Sequence, residues 1–153
     1  MRKVEQIMCS LLANDEVGRA SDNTEVVRYE THGPLIVQLH RHVIAKYYVA
    51  TRTLVLSDAG WKTRTTASRH NALLRRFAPD YRITQRDWVW YLVDTRAGGW
   101  KELDWSGQAR FERGSLTGCQ RHIVKCEFID FSAIHFNITR IGTQVFIIGI
   151  SKE

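Results

Sequence analysis

The sequence predicts an α+β fold: an antiparallel sheet, two helices packed on it, and a C-terminal β-hairpin extension. Three observations carry this. An apolar stripe at helical spacing opens the chain; short runs of β-branched and aromatic residues follow with no helix between them; one further helical segment then gives way to more strands.

Val4, Ile7, Met8, Leu11 and Leu12 fall at i, i+3, i+4, i+7 and i+8, so residues 2–13 form an amphipathic helix. Residues 14–23 are polar, contain Gly18 and end in Ser21-Asp22-Asn23, which is loop chemistry. Strands are expected at 24–31, 35–40, 42–50 and 53–57. His32-Gly33-Pro34 turns the chain between the first two and His40-Arg41-His42 between the next. A meander of this kind is antiparallel, because parallel strands need a long crossover. Asp58-Ala59-Gly60 ends it.

A second helix starts near Thr65 or Thr66, either of which supplies a hydroxyl N-cap, and stops before Pro79. His70, Leu73, Leu74 and Phe77 share one face of it. Strands at 81–85 and 88–94 follow, with Arg86-Asp87 as the tight turn. Trp88, Trp90 and Leu92 alternate with Val89, Tyr91 and Val93, so this strand is expected to be buried on both faces. Residues 96–118 are interrupted by Gly98, Gly99, Gly107, Gly114 and Gly118 and studded with Trp100, Trp105 and Phe111. They suggest a long loop that either packs by its aromatics or presents them as anchors to a partner. Three more strands, 122–129, 134–140 and 143–150, close the chain, the last two joined at Ile141-Gly142, with 145–150 apolar enough to be a buried strand. The domain division that results is an α+β core over 1–95 and an aromatic loop with a β extension over 96–153, packed on the same domain.

The chain has 153 residues, 44% of them hydrophobic, enough for one self-sufficient core. Lys and Arg number 22 against 16 Asp and Glu, a net charge of +6 that favours polyanionic partners. Cys9, Cys119 and Cys126 are too few and odd in number for a disulfide framework, which suits a reducing compartment. No signal peptide is evident, and no stretch approaches the roughly 20 apolar residues of a bilayer span. The expectation is a soluble, cytoplasmic protein with no membrane partner.

Gly60, Trp61, Thr63, Thr65, Thr66, Arg69 and Asn71 stand in the pattern Gly-Trp-x-Thr-x-Thr-Thr-x-x-Arg-x-Asn, with Trp90-Tyr91 in the later hairpin and Asn23-Thr24 at the first strand. Over about residues 22–94 the chain resembles a family of small uncharacterised proteins of bacteriophages and scattered bacterial genomes. The resemblance implies a phage-type origin, hence expression in a host cell, and a fold unit without a set activity. His70 departs from that pattern, where Leu or Met is usual.

Trp61, Lys62, Arg64, Arg69, Arg75 and Arg76 are the candidate nucleic-acid or anion-binding residues: an indole platform, cations, and a helix N-terminus whose free amides attract phosphate. The competing reading packs Trp61 under the sheet and leaves the arginines solvated. Trp100, Trp105 and Phe111 are the candidate protein interface. Cys119-x-x-His122-x-x-x-Cys126, with His135, has ligand types suited to zinc but not the spacing of a standard finger, and no metal or other cofactor is expected. His40 and His42 are the weak catalytic candidates, as an acid and base pair for RNA cleavage. The leading expectation is therefore a non-enzymatic phage accessory protein that binds nucleic acid, or a host complex handling nucleic acid, through the basic surface of residues 61–76. The alternatives are a protein–protein inhibitor or structural subunit docking by residues 96–118 and the C-terminal strands, and a histidine-dependent nuclease.

Overall fold

In the computed structural model the amphipathic opening stretch becomes α1 (Lys3–Ala13), begun by the Glu5 carboxylate, which accepts the Arg2 amide at 2.9 Å. The structure describes residues 1–96, 99–118, 123–128, 134–141 and 144–152, with side chains described up to residue 118. Met8, Cys9 and Leu12 face the core, and Glu5 is buried with them.

Residues 14–23 hold more than a loop. β1 (Gly18–Ser21) pairs antiparallel with β2 (Thr24–Val27). Its apolar pattern is too sparse to announce a strand; only Ala20 is buried, and the strand exists because β2 offers it an edge. β3 (Leu35–Leu39), β4 (His42–Tyr48) and β5 (Thr53–Ser57) continue the meander as expected.

α2 (Arg64–Phe77) starts earlier than its threonine pair suggests. Its cap is Thr63, whose Oγ1 accepts the Thr66 amide at 3.1 Å, while the two hydroxyls share a hydrogen bond at 2.9 Å. β6 (Tyr81–Arg86) and β7 (Val89–Asp94) form the next hairpin. Its turn is Asp87-Trp88 rather than Arg86-Asp87, with φ of 50° and 66°. That places Trp88 outside the strand and exposed, so only the inner part of β7, with Trp90, Leu92 and Val93, is buried.

The largest departure concerns residues 96–118. In place of a loop they form β8 (Gly99–Asp104), β9 (Gln108–Glu112) and β10 (Ser115–Gly118). β9 inserts beside β5, giving a seven-stranded sheet in the order β1-β2-β3-β4-β5-β9-β10. β8 pairs with β7, and β11 (Ile123–Phe128) adds to β8, giving a four-stranded sheet β11-β8-β7-β6. Gly99, Gly107, Gly114 and Gly118 mark turns and strand ends, and β9 finds one of its two partners, β5, more than fifty residues away in sequence. β12 (Ile134–Ile141) and β13 (Gln144–Lys152) form the C-terminal antiparallel hairpin. The fold class is thus α+β with antiparallel sheets, as the sequence predicts. The expected burial of residues 145–150, like the turn residue Gly142, lies outside what the structure describes.

One core joins both sheets to both helices, with Leu35, Val37, Leu54 and Leu56 from the large sheet, Leu73 and Leu74 from α2, and Ile83, Trp90 and Leu92 from the smaller one. Asn71 locks α2 onto β6: its amide nitrogen donates to the Ile83 carbonyl at 2.9 Å and its Oδ1 accepts the Ile83 amide at 2.7 Å. No helix among the described residues is long and apolar enough to cross a membrane.

Candidate functional site

The meander has to leave β5 and enter α2 within a few residues, and the Asp58 carboxylate organises the passage. It is buried, accepts the Gly60 amide at 2.8 Å through Oδ1, and accepts the Trp105 indole N–H at 2.9 Å through Oδ2. Gly60 sits at φ +80°, a left-handed conformation that suits a residue without Cβ. The Trp61 amide donates to the Asp58 carbonyl at 2.7 Å, so the turn is closed by backbone and the Trp61 side chain is released outward.

The result is a cleft of about 220 Å³ between the β3–β4 turn and the start of α2, lined by His40, His42, Ile44, Asp58, Trp61 and Thr66 among others. Trp61 remains 60% exposed, its ring 6.1 Å from that of His42. Lys62 and Arg64 are exposed beside it and make no ion pair among the described residues, and Arg41 is exposed in the turn opposite.

Of the residues in the Gly-Trp-Thr pattern, most have a job inside the fold. Gly60 makes the turn, Thr63 and Thr66 cap α2, Asn71 docks it, and Arg69 is buried. Arg69 Nη1 reaches Glu5 Oε1 at 3.2 Å and its Nε reaches Thr24 Oγ1 at 3.4 Å. Arg69 is therefore not a surface anion ligand; it satisfies the buried carboxylate of α1. Burial pulls the Glu5 pKa upward, yet the Ser68 hydroxyl, the Arg2 amide and the Arg69 charge together hold it below the ordinary value. Five of the seven are used in this way; Trp61 is not, and its ring is turned to solvent.

The remaining cations lie toward the two ends of α2: Lys62 just before its cap and Arg64 in its first turn, Arg75 and Arg76 in its last, with a helix about 20 Å long between them. Arg76 lines one cavity with Arg52 and Arg113, two residues that composition alone does not single out.

His40 and His42 do line one cleft, but neither is hydrogen-bonded to a carboxylate among the described residues; His40 Nε2 lies 3.5 Å from Asn23 Nδ2. The aromatics expected at a protein interface are redistributed. Phe111 is fully buried, Trp105 nearly so, and both belong to the core; Trp100 is half-buried with the Arg82 guanidinium 5.7 Å over its ring. The reason is that a Gly-rich stretch hides its strand pairing, and paired strands turn such side chains inward. Cys119 and His122 lie outside the described residues, as do the side chains of Cys126 and His135, and no group of metal-ligating side chains gathers among those that are described.

His70, on the face of α2 expected to be dry, is fully buried between Trp90 and Trp105, with ring centroids at 6.1 and 5.8 Å. Its Nε2 donates to the Ile44 carbonyl at 3.0 Å, and since a carbonyl only accepts, the proton resides on Nε2. Burial lowers its pKa to about 4, against the opposing pull of the Ile44 and Ser57 backbone and the Asp58 charge. It is a neutral structural ring that joins α2 to β4.

Comparison with curated proteins and with solved structures gives no match. A family model described as Kyanoviridae Gp96 protein matches residues 1–115, covering α1 through the start of β10, and the chain belongs to this family of phage proteins.

Proposed function

We propose that this phage accessory protein is a non-enzymatic binder of single-stranded nucleic acid, holding a base on Trp61 at the mouth of the β3–β4 cleft. The observation that carries the reading is the release of the Trp61 indole to solvent by a turn whose Ala59, Gly60 and Trp61 amides are all engaged. A base stacks on an indole face whatever its identity, and His42 offers a second ring at the same mouth. Lys62, Arg64 and Arg41 supply exposed cations for the phosphates on either side. The first amides of α2, at Arg64 and Thr65, precede the first intrahelical donor and add positive potential.

The test is binding of labelled single-stranded DNA and RNA oligonucleotides across a range of salt. Wild-type protein is expected to bind with an affinity that falls steeply as salt rises, and Trp61→Ala to bind about ten-fold or more weakly. Absence of salt-sensitive binding to either polymer overturns the reading. The oligonucleotide is expected to be recovered intact; cleavage that disappears in a His40→Ala, His42→Ala double variant would instead make the cleft a nuclease site.

A further inference from the structure

At the far end of α2 the structure gathers three arginines that the nucleic-acid reading does not use. Arg52 comes from the β4–β5 turn, Arg76 from the last turn of α2 and Arg113 from the β9–β10 turn. They line one cavity of about 370 Å³ together with Tyr47, Phe77 and Gly114. We propose that this cavity is a binding site for a phosphomonoester, separate from the Trp61 cleft and independent of it.

Arg28, Arg69, Arg86, Arg96 and Arg110 each pair with a carboxylate. Arg52, Arg76 and Arg113 pair with none among the described residues, and no carboxylate lines the cavity. Three like charges around one hollow repel one another, and a dianion seated between them removes that penalty. The negative end of the α2 dipole accounts for a cation at Arg76, in the last helical turn, but not for two more delivered from sheet turns.

Arg52 and Arg113 both adopt left-handed conformations, at φ 51° and 49°, where Gly or Asn is favoured and a side chain like that of arginine costs about 1 kcal/mol. The Arg113 amide donates to the Arg52 carbonyl at 3.0 Å, so the two strained turns are fastened to each other and their side chains presented together. Gly114, at φ +83°, allows the β9–β10 turn to approach the end of α2; a Cβ there would lie 3.3 Å from the Phe77 carbonyl oxygen.

The chemistry of the lining selects the ligand. Arginine forks match the oxygens of a phosphate in pairs, and three forks suit a terminal phosphate with three free oxygens and close to two charges better than a diester with two oxygens and one. The Tyr47 ring packs on Phe77 at 4.5 Å, and Arg52 and Arg76 are the charges that act on its hydroxyl. Burial raises the pKa of that phenol from a value already above neutral, against the pull of the two arginines, so its hydroxyl is a neutral group. A free mononucleotide and the 5′-phosphate end of a strand carry the same group.

Calorimetric titration of the intact protein with inorganic phosphate, with a nucleoside 5′-monophosphate, and with one oligonucleotide bearing or lacking a 5′-phosphate tests the site. Saturable binding of inorganic phosphate and of the monophosphate is expected, with Arg52→Asn and Arg113→Asn each weakening it about ten-fold. Asn tolerates the left-handed backbone, so both variants should fold at least as stably as wild type, and a loss of binding cannot be charged to unfolding. Tighter binding of the phosphorylated oligonucleotide than of its unphosphorylated twin identifies a strand end as a ligand; equal binding of the two, with the monophosphate still bound, identifies a small nucleotide. No saturable binding of any phosphomonoester, or unchanged affinity in both Asn variants, overturns the proposal. Trp61→Ala should leave phosphate affinity unchanged, which separates failure here from failure of the stacking cleft.

Discussion

Arg69 and Glu5 form an ion pair between α2 and α1, Nη1 to Oε1 at 3.2 Å, with each side chain only 6% exposed. Removing one partner strands the other charge in a dry site. Arg69→Ala should destabilise the protein by about 3–5 kcal/mol, measured by urea unfolding, while the double change Glu5→Gln, Arg69→Met should cost markedly less. A near-neutral Arg69→Ala would mean that Glu5 finds water or another cation.

His70 makes stability depend on pH in a defined window. Its folded pKa of about 4 lies below the unfolded value of 6.5, so the unfolded chain binds the proton more readily. The contribution is fully present above pH 6.5 and is lost as pH falls toward 4. Unfolding free energy should therefore drop by about 2 kcal/mol between pH 7 and pH 5. His70→Met should flatten that slope, while leaving the Ile44 carbonyl without its donor. An equally steep slope in the variant would assign the effect to another group.

Trp88 sits at φ 66° in the β6–β7 turn and is 88% exposed. Glycine suits that position, and little packing is lost with an exposed indole. Trp88→Gly is expected to stabilise the hairpin by about 1 kcal/mol, seen as a rise in Tm. A fall in Tm would show that the indole packs on the fold after all.

The separation of the α2 cations into two ends predicts that they are not interchangeable. Lys62→Ala with Arg64→Ala should reduce the salt slope of single-stranded oligonucleotide binding by about 1.4, roughly 0.7 for each phosphate left without its cation. Arg75→Ala, exposed at the opposite end and outside the arginine cavity, should leave that slope unaltered. Equal effects from both ends would favour one continuous basic face.

Much of the fold is legible in the sequence. The stripe from Val4 to Leu12, the β-branched runs from Thr24 to Ser57 and the stop of α2 before Pro79 are local patterns, and local patterns specify local structure. β1 and the strands within residues 99–118 are not legible, because their apolar signal is weak and their pairing partners supply what they lack. The same holds for Trp105 and Phe111: in a loop they would be anchors, but beside β5 and β7 they are core.

The site divides in the same way. By itself the sequence determined an α+β chain with a basic balance, a Gly60-Trp61 turn and a helix carrying arginines. Only the tertiary structure decided which arginine is used inside, which indole is left outside, and which three arginines line one cavity. Arg69 and Glu5 are 64 residues apart, and Arg52, Arg76 and Arg113 belong to three separate elements. Periodicity reports which face of an element turns inward over a few residues; burial, pairing and convergence of charge are set by which elements close on one another.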